Sequence, residues 1–399
     1  MDQPDNKRFS QKFPELGTDP IPVSNSISAE WFAKEKERIF KRSWINVGRV
    51  EELRKPGDYI VKKMDMWDTS ILLLRGRDGK LRAFHNICQH RGNLLVGDSE
   101  KGNCKGFMTC KFHGWVYDDS GKLRDVPDEE NFHNLDKAVL GLKPIALDTW
   151  LGFIFVNLKP EQSLADYLGG YMGEKLNAYP FELLETVYCY KPDEAVNWKV
   201  LLDAQQEGYH VPSLHKRTIS LSFPKDLVRF RSQDMILHGP HRILSAGSNA
   251  GEFVPTPVGA VASKIGANTI DAFAGAARGD MSAYADAMHG VFDFNVIFPN
   301  FVIGLLYGTY FTYNIWPVAV NRSIWEVRMY YPRAKTAGQA FTNEYGKVAL
   351  RDGLLEDASV HEATQLGLQS GAIDNFQFQD EETMCRHSHL TVQKMVNAL

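Results

Sequence analysis

The chain has 399 residues, of which 44% are hydrophobic and 24% charged, as in ordinary globular proteins that bury a sizeable core. Its 45 basic and 49 acidic residues give a formal charge of -4, without the positive surplus that favours nucleic acid or an anionic membrane. No nucleic acid and no membrane partner is expected, and a small organic molecule is the better expectation.

The N-terminus, MDQPDNKRFSQKF, is polar and of mixed charge, unlike a secretion signal, and no apolar run approaches the roughly 18 residues that cross a bilayer. This predicts a cytoplasmic protein. The five cysteines are too few, and odd in number, for a disulfide framework, so they are expected to be metal ligands or ordinary buried thiols.

The predicted elements begin with an amphipathic helix at about residues 28 to 42. Its apolar face consists of Trp31, Phe32, Ile39 and Phe40. From about residue 44 to 158, short apolar or β-branched runs such as DTSILLL and GFIFVNL alternate with turn signals, which predicts a small all-β domain.

The second half predicts a larger α+β domain. The segment NWKVLLDAQQEGYHVPSLH has a helical pattern interrupted by Pro212, residues 292 to 331 alternate like several antiparallel strands, and a helix is predicted from about Asn343. The predicted boundaries are a helical arm at 1–43 that packs on the larger domain, a β domain at 44–160 and the larger domain at 161–399.

A first candidate metal site lies in the β domain, where two loops each offer one Cys and one His. The four residues are Cys88, His90, Cys110 and His113. Two thiolates on one iron and two imidazoles on the other form a Rieske-type 2Fe-2S cluster, and Gly92 and Gly114 permit the tight turns that such loops need. The alternative is a structural zinc site with the same ligand types, although zinc fingers place two Cys before two His.

A second candidate site begins with His210 and His215, five residues apart. On an unbroken helix this spacing separates two side chains by about 140°. Pro212 predicts a kink or a helix end between them that lets both rings converge. Glu207 precedes His210 by three residues, so its carboxylate is placed to accept a hydrogen bond from the outward ring nitrogen.

Two His and one carboxylate on one side of a ferrous iron leave positions open for O2 and substrate. Asp357 is the best candidate for the carboxylate because it shares a predicted helical face with Leu354 and Val360, and Asp352 is the second choice. His387 and His389 lie in a polar tail and are predicted to be surface residues.

The motifs CQHRG, CKFHGW and DDSGKLRDVP resemble those of the large (alpha) oxygenase subunits of Rieske non-haem iron oxygenases, also called aromatic-ring-hydroxylating oxygenases. The resemblance extends over nearly the whole chain. It implies an N-terminal Rieske 2Fe-2S domain and a C-terminal catalytic domain, in which a twisted antiparallel sheet is flanked by helices and holds a mononuclear ferrous iron.

The same resemblance assigns roles to single residues. Asp357 matches the family's iron-binding Asp, and Glu362 and Gln365 match a Glu and a Gln that follow it. Glu207 matches an acidic residue that bridges the iron ligand to a cluster His of the neighbouring subunit, here His113. Electrons would then cross between subunits of a ring, most often a homotrimer, with or without a small beta subunit. Where many relatives have Glu-Asn, this chain has Asp203-Ala204, so the role of that Asn does not carry over.

The implied function is O2-dependent dihydroxylation, monohydroxylation or oxidative demethylation of an aromatic or other apolar compound. No GxGxxG motif opens a helix after a strand, so electrons from NAD(P)H are expected through a separate ferredoxin or reductase. The alternative is a Rieske-type electron carrier, which needs only the β domain. The Ala/Gly-rich segment 259–279 and the aromatic strands are the expected pocket, and a buried Arg, for example Arg231 or Arg242, is a candidate partner for a substrate carboxylate.

Overall fold

The computed structural model describes residues 8–97, 100–177, 179–219, 231–247, 255–266, 291–306 and 309–398. Contacts divide the chain into two compact units, which are Phe40–Tyr167 on the one hand and Met1–Ile39 with Leu168–Leu399 on the other. The first is called the β unit here and the second the catalytic unit. The N-terminal arm thus groups with the catalytic unit although it precedes the β unit in sequence.

The arm contains three short elements. They are helix α1 (Phe9–Lys12), strand β1 (Ile21–Pro22) and helix α2 (Ala29–Glu35), which continues as a π-helical turn over Lys36–Phe40. Ser28 begins α2, because its side chain accepts a hydrogen bond from the N–H of Trp31. Phe32, Ile39 and Phe40 are buried, as the amphipathic pattern predicts.

The β unit contains ten strands among its described residues. They are β2 (Ile45–Arg49), β3 (Asp58–Met64), β4 (Thr69–Arg75), β5 (Leu81–His85), β6 (Lys101–Asn103), β7 (Phe107–Thr109), β8 (Val116–Asp118), β9 (Leu123–Asp125), β10 (Pro144–Trp150) and β11 (Phe153–Asn157). Seven form an antiparallel sheet in the order β2-β11-β10-β5-β4-β3-β6, and β7-β8-β9 form a second sheet. Leu72, Phe84 and Tyr117 belong to the same buried core as Cys88 and Cys110 of the two Cys-His loops.

The catalytic unit is built on one antiparallel sheet. After helix α3 (Leu164–Leu176), its elements are β12 (Thr186–Tyr190), β13 (Asp193–Glu194), α4 (Trp198–Ala204), α5 (Val211–Leu214), β14 (Arg231–His238), β15 (His241–Gly247), α6 (Pro257–Gly266), β16 (Val291–Ile297), β17 (Phe301–Leu306), β18 (Thr309–Ala319), β19 (Arg322–Tyr331), α7 (Ala337–Gln369), β20 (Asn375–Phe376) and α8 (Thr383–Asn397). The described strands pair in the order β12-β19-β18-β17-β16-β15-β14, with β13 also on β19. The α+β prediction, with an all-β module before a larger domain of sheet and helices, is confirmed.

Two anchors fix the arm within the catalytic unit. Strand β1 pairs with β20, and Glu35 of α2 is fully buried against α4, where it lies 2.6 Å from the Lys199 ammonium. The indole N–H of Trp198 donates to the same carboxylate at 2.8 Å. Burial lowers the pKa of Lys199, although Glu35 opposes this shift. Removing either partner would leave a buried charge uncompensated, which makes the pair a strong constraint on α4.

Candidate metal centres

The Cys88 and Cys110 loops share one backbone pattern. In each, the cysteine carbonyl accepts a hydrogen bond from the glycine four residues later, at 3.1 Å for Gly92 and 3.0 Å for Gly114. Each cysteine N–H donates to the carbonyl of the residue after that glycine, at 2.9 and 2.8 Å. The φ angles of Gly92 and Gly114 are 77° and 74°. Since side chains disfavour this left-handed region, glycine is needed in both turns, as predicted.

The four side chains of these loops face one another in pairs. Cys88 and Cys110 are buried, and the rings of His90 and His113 have centroids 4.5 Å apart. Trp115 stacks on His90 at 5.0 Å and excludes water from one side of the ring. The Nδ1 atom of His90 is buried without a hydrogen-bond partner among the described residues. A buried nitrogen of this kind needs a ligand, and coordination by a metal supplies one.

This arrangement separates an iron-sulfur cluster from a zinc site. A structural zinc draws four ligand atoms around a single point. Among the described residues, the one group of three or more potential ligand atoms within 4.8 Å of each other is the His210, His215 and Asp357 group. The four β-unit side chains therefore do not converge on one point, whereas a two-iron cluster that holds its thiolates and imidazoles on different irons does not require them to.

The helical segment before the second site breaks earlier than predicted. Helix α4 ends at Ala204, and α5 is a separate single turn that starts after His210 and ends before His215. Pro212 lies in the first turn of α5, where its missing N–H costs no hydrogen bond. Of the two predicted alternatives, the structure has a helix end between the two histidines, at Leu214, and no kink at Pro212. The rings converge because each histidine stands at one end of a single turn and the backbone leaves the helical conformation at His215.

Three side-chain atoms meet at this second site. His210 Nε2 lies 3.1 Å from His215 Nε2, and Asp357 Oδ1 lies 3.0 Å from His215 Nε2 and 3.5 Å from His210 Nε2. Ligand atoms on one face of a metal, at bonds of about 2.1 Å and right angles, are about 3 Å apart. Asp357 Oδ1 is also buried without a hydrogen-bond partner among the described residues. The donor set therefore fits the two-His, one-carboxylate arrangement of non-haem ferrous sites.

The outward nitrogen of each histidine contacts a glutamate. Glu207 Oε1 bonds to His210 Nδ1, and its other oxygen accepts from the backbone N–H of His210 at 3.2 Å. Glu356 Oε2 lies 3.0 Å from His215 Nδ1. By accepting a hydrogen bond from Nδ1–H, each glutamate selects the tautomer whose Nε2 lone pair is free to bind a metal. Glu356 was not predicted from the sequence, because its role depends on the position of His215.

Electrostatics at His215 reflect this crowding. Burial alone would lower the pKa of His215, but the neighbouring carboxylates of Asp357 and Glu356 outweigh it, so the pKa is raised. Burial would raise the pKa of Glu356, but hydrogen bonds from Thr218 and His215 outweigh it, so that pKa is lowered. Because an imidazole must lose its proton to bind a metal, metal affinity should fall at low pH.

Helix α7 supplies the carboxylate. Asp357 is 5% exposed and Leu354 is 9% exposed, but Val360 is 36% exposed, so the predicted face is only half right. The buried face runs instead from Asp357 through His361 and Gln365, at helical spacing of four residues. The second choice, Asp352, pairs with Arg351 and is not part of the group that meets at His215.

Two side chains fasten α7 to the segment that leads into α4. Glu362 Oε1 accepts the backbone N–H of Ala195 and Gln365 Oε1 accepts that of Asn197, each at 2.8 Å. Asn197 in turn begins α4, because its side chain accepts the N–H of Lys199. These contacts fix the axial position of α7, and hence of Asp357, relative to the histidines.

Two histidines of the polar C-terminal tail are buried, contrary to the prediction. His387 and His389 are 8% and 2% exposed, so their predicted surface position is wrong. His389 Nε2 lies 2.7 Å from Asp203 Oδ2 at the end of α4, and burial lowers the pKa of His387 to about 3. Periodicity could not show this, because the partner of His389 comes from a distant helix.

The two arginines proposed for a substrate carboxylate differ in outcome. Arg242 is fully buried, but its Nε donates to Gln206 Oε1 at 3.0 Å and its Nη1 to Pro240 O at 3.3 Å. It therefore serves the protein's own polar groups. The side chain of Arg231 lies outside the described residues.

The expected apolar pocket is described only in part, because residues 267–290 and 307–308 fall outside the described residues. Within them, an aromatic row of Phe294, Phe311, Tyr313 and Trp325 crosses three strands. Successive ring centroids along the row are 5.8, 4.9 and 5.1 Å apart. Trp325 ends the row 5.6 Å from the ring of His361, on the buried face of α7 that carries Asp357.

Comparison with known proteins agrees with both sites. Residues 43–143 match the family model of the Rieske [2Fe-2S] domain, and residues 181–398 match that of the ring hydroxylating alpha subunit (catalytic domain). The carnitine monooxygenase oxygenase subunit of Escherichia coli (strain K12) is 36% identical over 197 residues, which are 49% of this chain and 52% of that protein. The large oxygenase component of the naphthalene 1,2-dioxygenase system of Pseudomonas aeruginosa is 40% identical over 144 residues, 35% of this chain and 31% of that protein.

Solved structures show the same fold over nearly the full length. Naphthalene 1,2-dioxygenase from Rhodococcus sp. matches with a TM-score of 0.76 at 21% identity and covers 98% of this chain and 97% of that chain. A quaternary ammonium Rieske monooxygenase matches with a TM-score of 0.73 at 22% identity and covers 94% of each chain. In sequence alignment, by contrast, the chain spans about half the length of the carnitine monooxygenase subunits it matches.

No helix among the described residues is both long enough and apolar enough to span a bilayer.

The catalytic-domain model covers more than half of the chain, the Rieske model covers the β unit that carries the paired Cys and His loops, and the solved relatives share the fold. The chain belongs to the family of ring-hydroxylating oxygenase alpha subunits and combines their Rieske [2Fe-2S] domain with their catalytic domain.

Proposed function

We propose that this chain is the terminal oxygenase component of a multicomponent Rieske oxygenase. It would hydroxylate an aromatic or other apolar organic compound with O2, by dihydroxylation, monohydroxylation or oxidative demethylation. The observation that carries the proposal is the meeting of His210, His215 and Asp357 at 3.0 to 3.5 Å in a chain that also has a Rieske domain. When bound, iron at this site would supply O2 activation and the cluster would supply electrons singly.

The chain's own residues have distinct roles in this proposal. Cys88, His90, Cys110 and His113 would hold the cluster, and His210, His215 and Asp357 the mononuclear iron. Glu207 and Glu356 accept hydrogen bonds from the Nδ1–H groups and so direct both Nε2 atoms inward. Glu207 would also bridge to His113 of a neighbouring copy in a homotrimer, so that electrons pass between subunits. A separate ferredoxin or reductase would supply those electrons from NAD(P)H, and a small beta subunit and a cytoplasmic location belong to the same proposal.

An aromatic substrate is favoured by the aromatic row. Phe311, Tyr313 and Trp325 are each at most 2% exposed, and the row runs toward the face of α7 that carries Asp357. Stacked and edge-to-face rings provide apolar contact without a fixed charge. The named relatives include both a carnitine monooxygenase subunit and a naphthalene dioxygenase component, so aromatic and quaternary ammonium compounds are the two classes to compare.

Metal analysis and single-turnover chemistry test the proposal together. Anaerobically purified protein should contain about three irons per chain, two with Rieske spectroscopy and one without sulfide. After reduction by dithionite, a pulse of O2 should convert naphthalene, indole or a substituted benzene to a hydroxylated product. Carnitine and choline are the matched quaternary ammonium compounds.

Three outcomes would contradict all or part of the proposal. About two irons per chain, with no metal bound by the His210 site, would favour a Rieske electron carrier. Three irons with no product from any of these compounds would refute oxygenation of both substrate classes. Product from carnitine or choline alone would keep the oxygenase but refute the aromatic assignment.

A further inference from the structure

A cavity of about 190 Å3 lies within the catalytic unit, between the N-terminal arm and the start of helix α8. Its wall includes Arg8, Phe13 and Leu16 from the arm and Phe378, Gln379 and Arg386 from the C-terminal segment. None of these residues belongs to either metal centre. The oxygenase proposal therefore gives this cavity no function.

Arg386 is a buried cation that the protein does not neutralise. It is only 7% exposed, and it forms no hydrogen bond or ion pair with any residue that the structure describes. Asp19 attracts it electrostatically without contacting it, and burial lowers the pKa of Arg386 from its ordinary value. Because a guanidinium stays charged and an uncompensated buried charge is costly, this position calls for an anion.

The side chain of Gln379 also belongs to the wall. Gln379 Oε1 accepts the backbone N–H of Glu381 at 3.0 Å, but Gln379 Nε2 is buried without a hydrogen bond to any described residue. The nearby Asp380 carboxylate remains charged, and its two oxygens accept the N–H groups of Phe9 and Ser10 at 2.8 Å. The wall thus carries two cations, Arg8 and Arg386, against the one carboxylate of Asp380, which leaves it with a net positive charge.

Part of the remaining wall is apolar, and the volume suits a ring. Phe13, Leu16 and Phe378 form that side. A cavity of about 150 Å3 holds benzene in another protein, so about 190 Å3 accommodates a six-membered ring with a carboxylate. An inorganic oxyanion would satisfy the donors but leave the apolar wall without contact.

We propose that this cavity binds a small organic carboxylate of about the size of benzoate. Its carboxylate bonds to Arg386, and its apolar part contacts Phe13, Leu16 and Phe378. The ligand thereby joins the N-terminal arm to α8. This site is separate from the substrate site and does not depend on the oxygenase proposal.

Hydrogen–deuterium exchange of the full chain tests the proposal, because it reports where a ligand acts. Benzoate should slow amide exchange in residues 8–19. Benzamide, which has the same shape without the charge, should not, and sulfate should protect this segment less than benzoate. Benzoate bound at the mononuclear centre would protect other segments and so does not count as support.

Variants separate charge from packing. Arg386→Gln should raise the benzoate concentration needed for half-maximal protection at least about tenfold, since it removes a charge-assisted hydrogen bond. Gln379→Glu keeps the oxygen that accepts the N–H of Glu381 and adds a negative charge that repels the benzoate carboxylate, so it should abolish protection. This variant tests the proposal even if Arg386→Gln does not fold. Arg54→Gln, at an exposed arginine of the β unit, is the matched control and should leave protection unchanged.

Three outcomes would overturn the proposal. Benzoate without effect on residues 8–19 of the wild-type chain would refute the site itself. Equal protection by benzamide would refute recognition of an anion, and equal protection by sulfate would refute the organic part of the ligand.

Discussion

The two candidate metal centres of this molecule are assembled in different ways. The cluster residues lie on two turns between residues 88 and 113, and each turn is closed by its own backbone hydrogen bonds and a left-handed glycine. The mononuclear centre joins His215 to Asp357, and its supporting contact from His215 to Glu356 spans 141 positions of the chain. One centre is thus fixed by local turn geometry, and the other by the packing of α7 against the α4 to α5 segment.

The largest expected effect comes from removing the distant carboxylate. Asp357→Ala should abolish turnover and reduce iron from about three to about two per chain, because two imidazoles alone bind ferrous iron weakly. Visible absorbance of the cluster should persist, since its ligands belong to other loops. Metal analysis, absorbance and single-turnover product measure these quantities. Asp352→Ala, five residues earlier on α7 and outside the site, is the control and should change neither turnover nor iron content. Loss of the cluster in Asp357→Ala would refute independent assembly of the two centres.

A smaller effect is expected from the glutamates behind the histidines. Glu356→Gln should weaken metal binding at the mononuclear site roughly 10- to 100-fold, because the amide accepts the His215 Nδ1 proton less strongly. Cobalt titration of metal-free protein, followed by absorbance, measures the affinity. Glu344→Gln, on the same helix but bonded to Tyr188, is the matched control. Equal affinities for wild type and Glu356→Gln would show that packing alone orients His215.

Packing beneath the aromatic row should affect stability of the catalytic unit alone. A Cβ at Gly304 would meet the Phe311 ring at 2.0 Å, so Gly304→Ala should destabilise this unit by about 1 to 3 kcal/mol. In Gly367→Ala, also in a regular element, the new Cβ meets nothing within 4 Å, so stability should be unchanged or slightly increased. Thermal unfolding by circular dichroism, with cluster absorbance recorded in parallel, distinguishes the units; a simultaneous equal shift in both signals would mean that they unfold together.

The smallest effect concerns pH. Burial raises the pKa of Glu382 to about 7, and the charges of Glu207 and Asp203 act in the same direction. Between its unfolded pKa of about 4.5 and about 7, the folded state holds the extra proton, so stability falls as pH rises through this window and stays lower above it. Glu382→Gln should remove that fall and stabilise the protein by about 1 kcal/mol at pH 8, after solvent screening, but not at pH 4. Urea unfolding at the two pH values measures the difference, and an equal gain at both would refute the titration.

The same contrast explains what the sequence could predict. The paired Cys and His loops, their glycines and the strands between residues 291 and 331 follow from spacing and alternation, which are local properties. Helix α7 begins at Ala337, six residues before the predicted Asn343, because Thr336 accepts the N–H of Gln339 and so starts the helix earlier.

Errors occurred where distant segments decide the outcome. His389 is buried because Asp203 of α4 pairs with it, and Val360 is exposed because the buried face of α7 follows Asp357, His361 and Gln365. Glu356 went unnoticed because its importance depends on where His215 lies. In each case the controlling partner is far away in sequence, so no window of neighbouring residues contains the information.

Glu362 and Gln365 accept hydrogen bonds from the backbone N–H groups of Ala195 and Asn197, and these bonds fix the position of α7 along its axis. A slip of α7 by one residue would move its side chains 1.5 Å along the axis and turn them by 100°, which would point Asp357 away from the histidines. Because these hydrogen bonds are made to the segment just before α4, the position of the Asp357 carboxylate does not depend on the length of the polypeptide between His215 and α7. Residues gained or lost between the strands of that stretch would consequently leave Asp357 in place relative to the two histidines.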